Sequence, residues 1–256
     1  MKKITIFIGT PRKGSTYNAS QELIKNIEAH NQIDAEYVFI NDYNLEYCRG
    51  CKLCFNKGEE YCPLKDDRDI LLEKINSSDG VIFASPNYAL QITATMKNLI
   101  DRMAFVFHRP QYFDKTFMSL VTQGMIGGKD IIKYLDTAGE NLGFRVVKGC
   151  VINTLEPSTD KQKIKNSKKI KKASLRFYNE LSDSKLFSPS LFRLMLFRIG
   201  RTSLKLILNN NYKDYRHFKE KGWFDSDYYC EVSLSYTKKL AGCIFDFIGK
   251  QIAKHR

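Results

Sequence analysis

Gly9-Thr10-Pro11-Arg12-Lys13-Gly14-Ser15-Thr16 follows the apolar run Ile4-Thr5-Ile6-Phe7-Ile8 and opens a segment whose apolar residues, Ala19, Leu23, Ile24 and Ile27, fall at helical spacing. Strand, short polar loop and helix start, in that order, make an anion site. The first amides of a helix have no internal partner, and the helix dipole adds partial positive charge at that end. Ser15, Thr16 and Asn18 add side-chain donors, and Arg12 adds a full charge. Taken alone, the loop reads equally well as an ordinary strand-to-helix turn capped by Ser or Thr.

The pattern excludes two common phosphate loops. A nucleoside-triphosphatase loop needs Gly-Lys-Ser/Thr, whereas Gly14 runs straight into Ser15 and Lys13 precedes it. A dinucleotide fingerprint needs Gly-x-Gly-x-x-Gly, which is missing. A hydroxyl-rich loop with one arginine suits a terminal monophosphate, the group that ends flavin mononucleotide (FMN).

Outward from this loop, residues 1–155 alternate strand and helix. Strand-like runs lie at 4–8, 35–40, 80–84, 117–122 and 145–152, and helix-like segments at about 16–30, 67–77, 91–107 and 128–142. Five strands with interleaved helices predict an α/β fold with a doubly wound parallel sheet, and the flavodoxin-like order 2-1-3-4-5 is the favoured topology. That order places the ligand crevice at the carboxyl ends of the first and third strands. The loops arriving there are 9–16, 86–95 and 123–128. Pro86 biases Ser85 towards extended backbone. Tyr88 offers a flat ring, and the glycines of Thr122-Gln123-Gly124-Met125-Ile126-Gly127-Gly128 permit close backbone approach. Each also reads as a plain turn.

Together, Gly9–Thr16, Ser85-Pro86-Asn87-Tyr88 and Met96-Lys97-Asn98-Leu99-Ile100-Asp101-Arg102 resemble the NADPH-dependent FMN reductase family of the flavodoxin-like superfamily. The resemblance spans roughly residues 1–155. It implies FMN held by its phosphate at Thr10, Arg12, Ser15, Thr16 and Asn18. It implies a ring lying against Pro86, Asn87, Tyr88, Ala89 and Leu90, with Thr122, Gly124 and Gly127 closing the other side. It further implies NAD(P)H as cosubstrate and a homo-oligomer, with Asp101 and Arg102 candidates for assembly. The expected function is an FMN-dependent NAD(P)H oxidoreductase acting on a flavin, quinone or nitroaromatic acceptor. No catalytic side chain is assigned; His108 is the nearest acid/base candidate and reads better as a surface histidine.

After the second strand come Cys48, Cys51, Cys54 and Cys62, spaced C-x2-C-x2-C-x7-C. Three close cysteines and a more distant fourth suit a cubane iron–sulfur cluster better than structural zinc, which favours two separated pairs. The segment resembles the compact cysteine motif of iron–sulfur flavoproteins, which implies a 4Fe–4S cluster on these four residues. With such a cluster beside the flavin, a ferredoxin-like carrier is the expected partner. Free thiols, zinc and a redox disulfide stay open beside it. Cys150, Cys230 and Cys243 stand alone and read as small buried hydrophobes.

Charge divides the chain. Residues 1–155 carry 19 Lys and Arg against 18 Asp and Glu, whereas residues 156–256 carry 22 against 10, so nearly all of the net +13 lies in the last hundred residues. That contrast sets the expected domains at 1–155, FMN-binding, and 156–256, a basic and mainly helical extension. Residues 161–176 hold seven lysines, one arginine and no acid, and read as a solvated linker or helix face. No recognition motif supports nucleic acid as a partner. Amphipathic segments follow at 188–209 and about 236–253, the second with Leu240, Cys243, Ile244, Phe247, Ile248 and Ile252 expected inward. Packing on the sheet domain or on another subunit is the favoured role; contact with a membrane surface, or a lid containing Trp223, stands behind it. A non-catalytic binding module is the rival from another class. The start, Met1-Lys2-Lys3, runs into a segment too short for a signal-peptide core, and a cytoplasmic protein is expected.

Overall fold

The computed structural model describes residues 1–183 and 187–255. In chain order the elements are β1 (Lys2–Ile8), α1 (Ser15–Glu28), β2 (Ile33–Phe39), the short α2 (Leu53–Asn56), α3 (Arg68–Asn76), β3 (Gly80–Pro86), α4 (Ala94–Arg102), α5 (Ala104–His108), β4 (Thr116–Gln123), α6 (Gly128–Leu142) and β5 (Arg145–Asn153). Then come α7 (Asp160–Leu181), α8 (Leu191–Ile207), α9 (Lys213–Glu220) and α10 (Tyr236–Lys254). The chain folds as two compact units.

The first unit comprises Met1–Cys48, Leu64–Phe107 and Gln111–Asp183. Its five strands pair in parallel in the order β2-β1-β3-β4-β5, as expected. The central strands are continuous apolar runs because both faces of a parallel sheet are covered. Ile4, Ile6 and Ile8 pack on one side with Leu23, Ile24 and Ile27 of α1, and Phe7, Phe83 and Phe117 make edge-on ring contacts. The helix expected over 91–107 is two pieces. Thr93 caps α4 by accepting from the Met96 amide at 3.2 Å, and α4 ends at Met103 before α5 begins.

This unit runs past the boundary that the charge contrast suggested at 155. Helix α7 is not a solvated linker. Ile170, Ala173, Phe177 and Leu181 form a stripe at helical spacing that joins the core of β1, β3 and α1. Burying the three larger side chains contributes about 1.5–3 kcal/mol each. The lysines of α7 occupy the remaining faces. A β-carbon on Gly80 would lie 2.8 Å from the Phe177 ring, so the sheet is trimmed where the helix docks.

The second unit comprises Arg49–Pro63, His108–Pro110 and the described residues after Asp183. Helices α8 and α10 pair along their length. Gly242 and Gly249 sit at the crossing: a β-carbon there would lie 3.2 Å from the Arg198 guanidinium and 2.9 Å from the Ile199 carbonyl, respectively. Trp223, Phe218, Tyr228, Tyr229 and Phe197 form an aromatic core, so Trp223 is a packing residue and not an open lid ring. The apolar face of α10 expected inward is turned out: Leu240, Cys243, Ile244, Phe247, Ile248 and Ile252 are exposed. Cys150 is buried as expected, and Cys230 is half-buried.

Candidate functional site

At the carboxyl edge of the sheet a cleft of about 150 Å³ is lined by Thr10, Arg12, Gly14, Ser15, Thr16, Pro86, Asn87, Tyr88, Thr122, Gln123, Gly124 and Thr154. Nine of the residues singled out from sequence therefore meet in one place. Asn18, one turn into α1, and Ala89, Leu90 and Gly127 do not line it. Gln123 belongs to the loop 122–128 already singled out, and Thr154 is an addition. It sits just past the carboxyl end of the edge strand β5, and that position is its only sequence signal.

The strand-to-helix join builds the floor. Gly14 precedes α1 without a side-chain cap, and the first intrahelical bond runs from the Asn18 amide to the Gly14 carbonyl at 2.9 Å. The amides of Ser15, Thr16 and Tyr17 thus have no helical partner, and no acid stands in the first turn to compete for them. Gly9 lets β1 reach this point, since a β-carbon there would sit 2.9 Å from the Thr93 hydroxyl. The Thr16 and Thr122 hydroxyls, both buried, hydrogen-bond at 2.7 Å and tie the start of α1 to the end of β4.

Two loops form the rim. Tyr88 and Gln91 exchange backbone bonds at 2.9 and 3.0 Å, so 88–91 is a two-residue hairpin turn. Its centre, Ala89 and Leu90, has φ of 49° and 65°, the left-handed region that costs such residues about 1–2 kcal/mol each. Leu90 is exposed, as are Met125 and Ile126 of the loop after β4. Asn87 ties the loops together by donating from Nδ2 to the Ile126 carbonyl at 2.6 Å. Its Oδ1 is buried and has no hydrogen-bond partner among the described residues. Gln123 Oε1 accepts from the Gly128 amide at 2.6 Å, and Gln123 Nε2 donates to the Met125 carbonyl at 3.0 Å, which fixes the second loop.

The cysteine segment starts and ends on a buried ion pair. Arg102 pairs with Asp66, their side chains 2% and 1% exposed, and its guanidinium also donates to the Glu46 carbonyl at 2.7 Å. The Glu46 amide donates to Asp66 at 2.8 Å, and the Asn44 amide to Asp67 at 2.8 Å. Asn98 reaches the Leu45 carbonyl at 2.9 Å. Arg102 thus pins the two ends of the excursion instead of serving an exposed assembly face. Burial pushes the Asp66 carboxyl up, but Arg102 and the backbone amides of Glu46 and Arg68 outweigh it and hold the group below its usual range.

Within the second unit, α9 holds the middle of the excursion. Arg109 pairs with Asp214 and with Glu59 (2.8 Å) and donates to the Cys54 carbonyl at 3.1 Å. His108 stacks on Phe55 at 4.1 Å and meets Asp214 at 2.7 Å, so it is a packing and pairing residue of this unit. Cys48 and Cys51 are exposed, and Cys54 and Cys62 are half-buried. Among the described residues no three His, Cys, Asp or Glu side chains are gathered closely enough to hold a metal.

Residues 2–155 match the family model for NADPH-dependent FMN reductase. The chain belongs to that family. Within the FMN reductases it is similar to the iron–sulfur flavoproteins. One from Archaeoglobus fulgidus is 35% identical over 160 residues, covering 58% of this chain and 71% of that one. Another, from Clostridioides difficile, is 29% identical over 188 residues, covering 71% and 80%. Among solved structures, an azoreductase from Bacillus anthracis superposes with a TM-score of 0.55 at 16% identity, over 70% of this chain and all of that one (100%). An NAD(P)H:quinone oxidoreductase from Methanothermobacter marburgensis gives 0.55 at 17% identity, over 68% and 95%. At such identities the likeness is one of fold. Membership of the FMN reductase family makes the chain an FMN-dependent oxidoreductase.

Proposed function

We propose that the cleft holds FMN by its phosphate and that NAD(P)H reduces the flavin for onward transfer to a small-molecule acceptor. The observation that carries this reading is the meeting of the uncapped start of α1, Arg12 and the hydroxyls of Thr10, Ser15 and Thr16 in one cleft. A terminal phosphate would take the amides of residues 15–17, with Arg12 balancing its charge. The cleft is smaller than a whole drug-sized ligand site, so the ring would lie over the rim formed by Pro86, Asn87, Tyr88 and Leu90. The buried Asn87 Oδ1 is an acceptor suited to an imide N–H of such a ring. Bound flavin supplies the hydride chemistry, and the protein's part is to hold and orient it. No side chain is assigned as acid or base.

A second reading adds a 4Fe–4S cluster on Cys48, Cys51, Cys54 and Cys62, with a ferredoxin-like carrier as partner. Cysteine spacing and the names of the relatives favour it. One sample tests both. Protein purified anaerobically should show flavin absorbance that NADPH or NADH bleaches, and failure to take up FMN would overturn the first reading. Iron and acid-labile sulfide near four each per chain would support the second. Full FMN with no iron would remove it.

A further inference from the structure

On helices α8 and α10, Arg198, Arg201 and Asp246 lie on the inner side with Leu194 and Phe197, while a stripe of apolar residues on each helix stays outside. On α8, Phe192, Leu196 and Leu206 lie on one face at 100° per residue and are exposed, Phe192 by 62%. The opposite face, with Arg198 and Arg201, is buried. Those two arginines converge on Asp246 of α10, Arg198 at 2.6 Å and Arg201 at 2.9 Å, while Thr202 donates to the same carboxylate at 2.9 Å. On α10 the glycine seam faces α8, and Leu240, Ile244 and Phe247, the last 61% exposed, face away. Isolated exposed apolar residues need no explanation, but an exposed apolar stripe on each of two paired helices is more than scattered residues, and such surfaces mark docking sites.

The charge around the patch selects its occupant. Asp246 is the one acid on either helix, and it is consumed inside by the two arginines. At the border of the α10 stripe stand exposed Lys239, Lys250 and Lys254. A second copy docking by the same face would bring basic rims together. An anionic lipid surface matches both features, because acyl chains accept the apolar stripe and headgroups meet the lysines. Among the described residues no helix is long and apolar enough to cross a membrane, so the contact is with the surface. We propose that the outer face of the α8–α10 pair is a docking surface for anionic phospholipid bilayers, with both helices lying in the plane of the interface.

Cosedimentation of the FMN-loaded full chain with vesicles tests this. Vesicles of phosphatidylglycerol and phosphatidylcholine in equal parts should carry the protein down, pure phosphatidylcholine vesicles should not, and raised salt should weaken binding. The double variant F192S/F247S should lose about tenfold or more in vesicle affinity, since it removes one ring from each apolar stripe. Its FMN content and thermal midpoint serve as folding controls. A second variant, K239E/K250E, leaves the apolar stripe intact and should lose binding to the anionic vesicles. Equal binding to both vesicle types, or no loss in either variant, would overturn the proposal. So would a wild-type dimer that F192S/F247S dissolves in sedimentation-equilibrium runs without vesicles, because the face would then be covered by a second copy.

Discussion

Replacing Arg12 and Ser15 together by alanine should weaken FMN binding by about 100-fold or more. Hydrogen bonds to a charged group contribute about 1.5–3 kcal/mol each, and every 1.4 kcal/mol is tenfold in affinity. Arg12 is exposed, so solvent screens its share and the lower part of the range applies. The substitutions leave the amides of residues 15–17 in place, so residual binding should persist. Ser15 opens α1 but caps nothing, and Arg12 makes no ion pair among the described residues, so the fold should be little affected. Fluorescence titration of FMN checks the outcome. Unchanged affinity in the double variant would mean that the phosphate sits elsewhere.

The second large effect is on stability. Asp66→Asn should cost about 3–5 kcal/mol, the usual result of removing one partner of a buried ion pair. Arg102 would keep its bond to the Glu46 carbonyl but stay buried with its charge uncompensated. The pH dependence has a definite sign. Asp66 is held below its unfolded value, so its contribution is fully present above about pH 4 and fades as pH falls from there through the folded value. Urea denaturation as a function of pH should therefore show wild type losing stability in acid more steeply than D66N. The paired replacement D66L/R102M should recover much of the loss, because it removes both charges. A D66N midpoint equal to wild type would show that the pair does not hold the cysteine excursion.

Much of the first unit was legible because parallel strands buried on both faces leave unbroken apolar runs, as in Ile4–Ile8 and Gly80–Ala84. The phosphate loop was legible for a local reason: strand, turn and helix start are contiguous in the chain. What escaped depends on contacts between distant segments. Ile170, Ala173, Phe177 and Leu181 form a correct helical stripe, but lysines between them hid it. Asp66 and Arg102 lie in separate segments, and nothing local pairs them. The amphipathic pattern of α8 and α10 showed two different faces but not which one turns inward. In the structure Arg198 and Arg201 meet Asp246 on the inner side, beside buried Leu194 and Phe197, while Phe192 and Phe247 stay out. Thr154 joined the cleft only because β5 ends beside β4, where its hydroxyl donates to the Gln123 carbonyl at 3.3 Å.

The central claim is that this cleft grips its flavin by the phosphate. The most direct test compares FMN with riboflavin, which carries the same ring and side chain without that group, in parallel titrations of the wild-type chain. FMN should bind tighter by more than about two orders of magnitude, since the amides of residues 15–17 add to what Arg12 and Ser15 supply, and the R12A/S15A variant should narrow that gap. Equal affinities for the two flavins would contradict the account.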